Sequence, residues 1–357
     1  MIDKQTYTLS WIENASKKHN NADKILIEKV IRALTLLTEL KTSGLNFIFK
    51  GGTALMLMLG LPKRLSIDID IIIQEKLPDL DKVLNQIKSE SEHFIRIEEQ
   101  SRFINSNIEK AHYKFFYRPI YKTHSDEEYI LLDILFEKNP YDNLMETPIL
   151  SPFISIQDKH ETVTTPTFDC ILGDKLTAFA PNTTGIPYYK SNRSMSMEIM
   201  KQLYDVGNLL NVSADLKNIR DTFNRIAQSE LTYRNLKHLT TENVLNDIIQ
   251  TALCISSRGK LGECNFKEIQ KGIERIKQFI VSDRFIIDNV IIAASKAAYI
   301  ATMIKHKKTN LQLFDKSISV SNLLIENKKY NKLNKLKKSN KEAFWYWWLA
   351  TNNEIED

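Results

Sequence analysis

Cysteine is scarce in this chain: Cys170, Cys254 and Cys264 are the only three in 357 residues. Their spacing matches no zinc or thiol-redox motif, and an odd number builds no even disulfide framework. They are expected to be buried or incidental thiols of a protein in a reducing cytoplasm. The opening segment, MIDKQTYTLSWIENASKKHN, lacks an apolar core of signal-peptide length. The most apolar helical stretch, FIIDNVIIAASKAAYIATMI (285–304), contains Asp288 and Lys296. A membrane span rarely carries both, so this stretch reads as the buried helix of a soluble protein with no membrane partner. No internal repeat is found, and low complexity is confined to the Lys/Asn-rich run ENKKYNKLNKLKKSNK (326–341).

The length of 357 residues exceeds what one hydrophobic core usually serves, so two domains are expected. The formal charge of +5 is mild but unevenly spread. From Lys305 to Asp357 there are eleven lysines against six acids, an excess equal to that of the whole chain. Residues 24–43 show apolar residues at helical spacing, NFIFK (46–50) reads as a strand, and TALMLMLG (53–60) as a short buried helix. SIDIDIII (66–73) returns as a strand, and a helix is expected near 80–92. FIRIEE (94–99), HYKFFYR (112–118) and YILLDILFE (129–137) are three further strands. Past residue 195 strand signals almost vanish, and helices are expected near 195–211, 214–229, 241–256, 266–281, 284–305 and 318–337. PNTTGIPYYKSNRS (181–194) is rich in turn formers and reads as a junction or mobile loop. The fold class is therefore α+β: a domain with a mixed sheet over 1–194, then an all-α bundle over 195–357 with a basic tail region.

The stretch FKGGTALMLMLGLPKRLSIDIDIII (49–73) carries the chemistry. In a strand, side chains alternate faces, so Asp68 and Asp70 point one way and Ile67, Ile69 and Ile71 the other. Two adjacent carboxylates repel unless solvated or bridged by a cation, and such a pair is a typical partial ligand set for Mg²⁺. Gly51 and Gly52, between a strand and a helix start, place free backbone N–H groups beside a space without side chains, which suits a phosphate. The Thr53 hydroxyl can cap that helix or reach a phosphate oxygen. Taken singly, a Gly-Gly turn or an Asp-x-Asp strand is commonplace; the combination within so short a segment is much more specific.

KGGTAL…KRLSIDIDI resembles the signature of DNA-polymerase-β-like nucleotidyltransferases, and more narrowly that of the AbiEii/AbiGii toxins of type IV toxin–antitoxin systems. The resemblance is close over 47–73 and loose over 160–210. It implies a polymerase-β-like nucleotidyltransferase domain and a third carboxylate on a neighbouring strand, for which Asp133 in YILLDILFE is the candidate and Glu137 the weaker substitute. It places Ser66 beside metal and phosphates, with Arg64 extending the same stripe. Lys175, in TPTFDCILGDKLTAF (165–179), corresponds to a family lysine that neutralises the departing pyrophosphate; alone it would read as a solvated lysine at a helix start. Asp174 reads as a helix-terminal acid, and Gly173 stands where related chains often carry Ala, a difference expected to matter little. MEIMKQLYDVGNLL (197–210) resembles a family helix in which Asp205 orients substrate. Lys201 lies four residues before it, so a plain i,i+4 ion pair is the competing reading. Glu198 and Ile199 depart from the Arg-Asp that related chains carry.

The reaction implied is Mg²⁺-dependent transfer of a nucleotide from an NTP to an acceptor hydroxyl, with Asp68, Asp70 and Asp133 as metal ligands. Related toxins modify the 3′ acceptor end of tRNA, so RNA is the expected acceptor and a separately encoded antitoxin the expected partner, possible without direct contact. The tail lysines suit RNA through counterion release, though a solvated basic helix reads equally well. FWYWW (344–348) cannot all face one side of a helix and is expected to dock on the other domain more than to stack on bases. The competing functions are nucleotidylation of a small molecule such as an aminoglycoside, or of a protein hydroxyl, and an inactive nucleotide-binding module. The intact set of Gly51, Gly52, Ser66, Asp68, Asp70 and Lys175 argues against the last.

Overall fold

A computed structural model describes residues 1–75, 77–100, 109–122, 125–157, 159–282 and 284–353. The chain divides into two compact units, Met1–Thr167 with Gln278–Asp283, and Phe168–Lys277 with Arg284–Asp357.

The first unit opens with α1 (Leu9–Lys18) and α2 (Lys24–Thr42), each started by a side-chain cap. Thr8 accepts from the Trp11 N–H, and Asp23 from those of Ile25 and Leu26. Then come β1 (Ile48–Lys50), α3 (Gly51–Met58), β2 (Ile69–Ile73), α4 (Leu80–Glu90), β3 (Arg96–Glu99), β4 (Glu109–Tyr117) and β5 (Glu128–Phe136). They form a five-stranded sheet in the order β1-β2-β5-β4-β3, in which β2 and β5 run parallel and all other pairs antiparallel. The two-residue period decides what each face does. Phe49, Ile69, Ile71, Leu132, Ile134, Tyr113 and Phe115 share one buried face, where α2 packs on β5 and α4 on β3. The opposite face carries the polar side chains. The hairpin β6 (Leu144–Pro148) and β7 (Thr162–Pro166) completes the run; sequence patterning had not separated it.

Six residues return to this unit much later in the chain. Leu65 N–H donates to the Phe279 carbonyl at 2.7 Å, Val281 N–H to the Lys63 carbonyl at 3.1 Å, and the Asn20 side chain to the Val281 carbonyl at 2.9 Å. The expected helix 266–281 therefore stops at Ile276, and residues 279–281 pair with the 63–65 segment.

The second unit holds α5 (Phe168–Ala178), the small hairpin β8 (Tyr189–Lys190) and β9 (Arg193–Ser194), α6 (Ser196–Leu209), α7 (Leu216–Tyr233), α8 (Thr241–Ser256), α9 (Phe266–Ile276), α10 (Ile287–Lys305), α11 (Leu336–Ser339) and α12 (Lys341–Asn353). Residues 168–194 thus belong with the helices, where fading strand signals had put the boundary after 194. The reason is packing: α5 lies against α6 and α7. The turn-rich stretch after α5 is tied down as well. Asp247 accepts from the Asn182 backbone and side chain and from the Thr183 hydroxyl, and Glu268 accepts from the Ser194 hydroxyl at 2.5 Å.

α10 passes the length and composition test for a membrane span, and 78% of its apolar window is buried inside the protein. Its three charges have partners: Lys296 meets Glu342 at 2.9 Å, Asp288 meets Arg258 at 3.0 Å and Lys305 meets Glu242 at 3.4 Å. Phe344, Trp345, Tyr346 and Trp347 of α12 are buried within this unit, Trp347 Nε1 donating to Ser256 Oγ at 2.9 Å. They are core of the helical unit. The helix expected over 318–337 does not form; only a 3-10 turn at Asn331–Lys335 and α11 do. Side chains there satisfy the backbone locally instead: Asn327 accepts from the Lys329 N–H, and Asn334 bonds both the N–H and the carbonyl of Ile325. Cys254 and Cys264 form a disulfide between α8 and the turn before α9, against the expectation of three thiols; Cys170 is free and buried. Proximity across that turn pairs them, which spacing alone had not shown.

Candidate active site

The strand register builds the polar face. Lys50 and Asp70, Asp70 and Asp133, and Asp133 and His112 are successive Cα partners across β1, β2, β5 and β4. Opposed residues share a face, so the four side chains form one row across the sheet. Asp70 and Asp133 are half-buried. Two carboxylates in register repel, and burial sharpens the repulsion. His112, on the far side of Asp133, places Nδ1 2.5 Å from Asp133 Oδ1. Asp68 stands one residue before the ladder of β2 and is exposed.

α3 begins beside this row. Its first residue, Gly51, has φ of +82°, and a Cβ there would lie 2.1 Å from Asp70 Oδ2. A Cβ on Gly52 would lie 2.6 Å from Ser66 Oγ and 2.7 Å from an Arg64 guanidinium nitrogen. The pair is glycine because three polar side chains close on the helix start. Lys50, the N-cap, gives α3 no side-chain hydrogen bond. Arg64 is buried and donates from Nη1 to the Leu65 carbonyl at 3.0 Å. Ser66 is half-buried. Thr53 is fully buried, and its hydroxyl donates to the Asp68 carbonyl at 2.6 Å. That hydroxyl is thus engaged with the aspartate segment, anchoring it, where a cap or phosphate contact had been expected.

Gly51→Ala is expected to be far more costly than Gly44→Ala. Gly44 has φ of +80° and nothing within 4 Å of its Cβ position, so alanine there meets only the left-handed backbone penalty, about 1–2 kcal/mol. At Gly51 the same penalty is joined by displacement of the Asp70 carboxylate. Urea unfolding of the two variants checks the difference; equal losses would refute the packing account.

Among the described residues no three His, Cys, Asp or Glu side chains gather into a complete metal cage. Mg²⁺ does not require one, since it is usually held by one or two carboxylates with substrate phosphates and water completing the octahedron. The register pair Asp70 and Asp133, with Asp68 nearby in sequence, is an all-oxygen set of that kind, and the residues fit the ion.

In the helical unit, α5 and α6 bring a second group together. Lys175 Nζ is 3.2 Å from Asp205 Oδ2 and 3.1 Å from Gln202 Oε1, with both charged side chains nearly fully buried. Asp205, which the sequence offered either to Lys201 or to substrate, is paired with Lys175; Lys201 is half-buried on α6. Lys175 and Asp174 lie inside α5, not at its start. Gly173, expected to matter little, is where α5 meets α7: a Cβ would lie 2.6 Å from the Ile219 carbonyl oxygen. Sequence reasoning missed His112 and Lys50. His112 carries no motif and Lys50 stood only as the residue before the glycine pair; the strand register joins both to the aspartates.

The family model described as Nucleotidyl transferase AbiEii toxin, Type IV TA system, matches residues 35–284. No curated protein sequence matches the chain. The solved structure of the nucleotidyltransferase toxin MenT4 from Mycobacterium tuberculosis H37Rv aligns over 95% of this chain and 98% of its own, with 12% identity and a TM-score of 0.49. A solved structure from H. pylori carrying a nucleotidyltransferase assignment aligns over 79% and 94%, with 16% identity and a TM-score of 0.42.

Proposed function

From the premise that the chain belongs to the AbiEii nucleotidyltransferase toxins of type IV toxin–antitoxin systems, we propose that it transfers a nucleoside monophosphate from an NTP to a hydroxyl at the 3′ end of tRNA. The observation that carries the chemistry is the in-register pairing of Asp70 with Asp133, with Gly51 packed on the Asp70 carboxylate.

Asp68, Asp70 and Asp133 are the proposed holders of Mg²⁺, which when bound supplies charge neutralisation for the triphosphate and acidifies the acceptor hydroxyl. The start of α3, where Gly51 and Gly52 have no side chains of their own, is the proposed place where backbone N–H groups meet phosphate oxygens. Arg64 adds positive charge at Gly52, where negative charge accumulates as pyrophosphate departs. Lys175 is the proposed counter-charge for the β- and γ-phosphates, with Asp205 holding its ammonium group in place. The α-phosphorus–oxygen bond to pyrophosphate breaks as the acceptor oxygen bonds to that phosphorus, and the acceptor proton leaves to solvent.

RNA as acceptor is supported by the tail. Lys328, Lys329, Lys332, Lys335 and Lys338 are exposed, while Tyr330, Leu333 and Leu336 anchor the segment inward. Lysines so displayed gain affinity for phosphates by releasing counterions. Tyr330 is buried and is no stacking platform. The cytoplasm, where NTPs and tRNA are found, is the proposed compartment, and a separately encoded antitoxin the proposed partner.

The test is incubation of the purified chain with total tRNA, Mg²⁺ and each α-³²P-labelled NTP in turn. Label on tRNA that is removed by trimming the 3′ end is the expected result. Label found only on protein, or on an added aminoglycoside, would overturn the tRNA reading and leave the transfer chemistry standing.

A further inference from the structure

We infer that His112 is a positioning residue for Asp133, fixing which carboxylate oxygen faces the substrate side of the site. The inference rests on the reading of Asp133 as the third carboxylate. An aspartate turns easily about its last bond, where the torsional wells are broad. Left alone beside Asp70, Asp133 would rotate to ease the repulsion between the two carboxylates. His112 removes that freedom. Its Nδ1 lies 2.5 Å from Asp133 Oδ1, and an ionised carboxylate only accepts, so Nδ1 carries the proton. Oδ1 is thereby engaged and Oδ2 is left for a ligand.

The anchor is rigid for a reason visible in the topology. β4 is an inner strand, paired with β5 on one side and β3 on the other, and just beyond β3 the Gln100 N–H donates to the His112 carbonyl at 2.7 Å. The His112 side chain is 11% exposed against 29% for Asp133, so the histidine meets the carboxylate on its drier side. The hydrogen bond also draws negative charge away from the Asp70 side, easing the repulsion within the pair. Partners of this kind behind a metal-binding group typically contribute 10–100-fold in metal affinity or activity.

The experiment compares wild type, His112→Leu, His112→Asn and Asp133→Asn by two readouts. One is Mn²⁺ affinity in the full chain, followed by loss of the free-ion EPR signal. The other is kcat and KM for the acceptor. Asn is the conservative variant, because its amide nitrogen reaches nearly the place of Nδ1. The expected result for His112→Leu is Mn²⁺ affinity and kcat each down about 10–100-fold with KM for the acceptor unchanged, and recovery of most of both in His112→Asn. If His112→Leu does not fold, His112→Ala takes its place with the same expectation. Unchanged Mn²⁺ affinity in a folded Leu or Ala variant, or an Asn variant no better than Leu, overturns the inference. If Asp133→Asn itself binds Mn²⁺ and turns over normally, the reading of Asp133 as third carboxylate fails, and the inference with it.

Discussion

Replacing Asp70 by asparagine is expected to lower nucleotidyl transfer by at least about 10²–10³-fold, the loss seen when a single electrostatic contact to developing charge is removed, while the protein stays folded. The substitution keeps shape and removes charge. Asp70 lies against Gly51 at the start of α3 and opposite Asp133 across the sheet, so it adjoins both the proposed phosphate cradle and the third carboxylate. Without its charge, Asp133 also loses a repulsive neighbour, and the melting transition should hold or rise slightly. Label transfer and thermal melts on the same preparation check both halves. An Asn variant with wild-type turnover would remove Asp70 from the chemistry; one that fails to fold would mark it as structural.

Lys175→Met is expected to destabilise the helical unit strongly. Methionine keeps most of the stem volume but removes the Lys175 ammonium from the buried Asp205 carboxylate, and breaking a buried pair from one side costs about 3–5 kcal/mol. The double variant Lys175→Met/Asp205→Asn removes the stranded charge and should recover most of that loss, because the two residues are directly coupled. Urea unfolding of the singles and the double closes the cycle. If Lys175 also serves the triphosphate, the double variant regains stability and not turnover. A single variant that loses less than about 1 kcal/mol would contradict the buried-pair account, since only exposed pairs are worth so little.

Periodicity and glycine placement made the first unit legible. The alternation that buries Ile130, Leu132 and Ile134 leaves Asp133 on the polar face, and the glycine pair marked the turn from β1 into α3. What sequence could not give was register. That Asp133 stands opposite Asp70, and His112 opposite Asp133, depends on how three separate strands slide past one another, which no local pattern encodes. The pairing of Asp205 with Lys175 is of the same kind: the i,i+4 neighbour Lys201 is visible in the chain, and a partner on another helix is not. Residues 318–337 failed differently. The helical pattern was there, but asparagine side chains within it serve turns: Asn327 accepts from the Lys329 N–H and Asn334 from the Ile325 N–H. The weight of Gly173 was likewise hidden, because it depends on how closely α7 approaches.

The six residues that come back to the first unit after α9 have a consequence for how such a gene can change. They hold the 63–65 segment, and that segment carries Arg64 and leads into Ser66 beside the glycine pair. An N-terminal fragment ending at Thr167 keeps every aspartate of the row yet loses the clamp behind Arg64. The half that carries the aspartate row is therefore not expected to move between toxins as a cassette by one crossover. Recombinants that swap everything past Thr167 inherit a foreign segment against residues 63–65, and its backbone must still present the Phe279 carbonyl and the Val281 N–H to them, although more than half the chain separates the two.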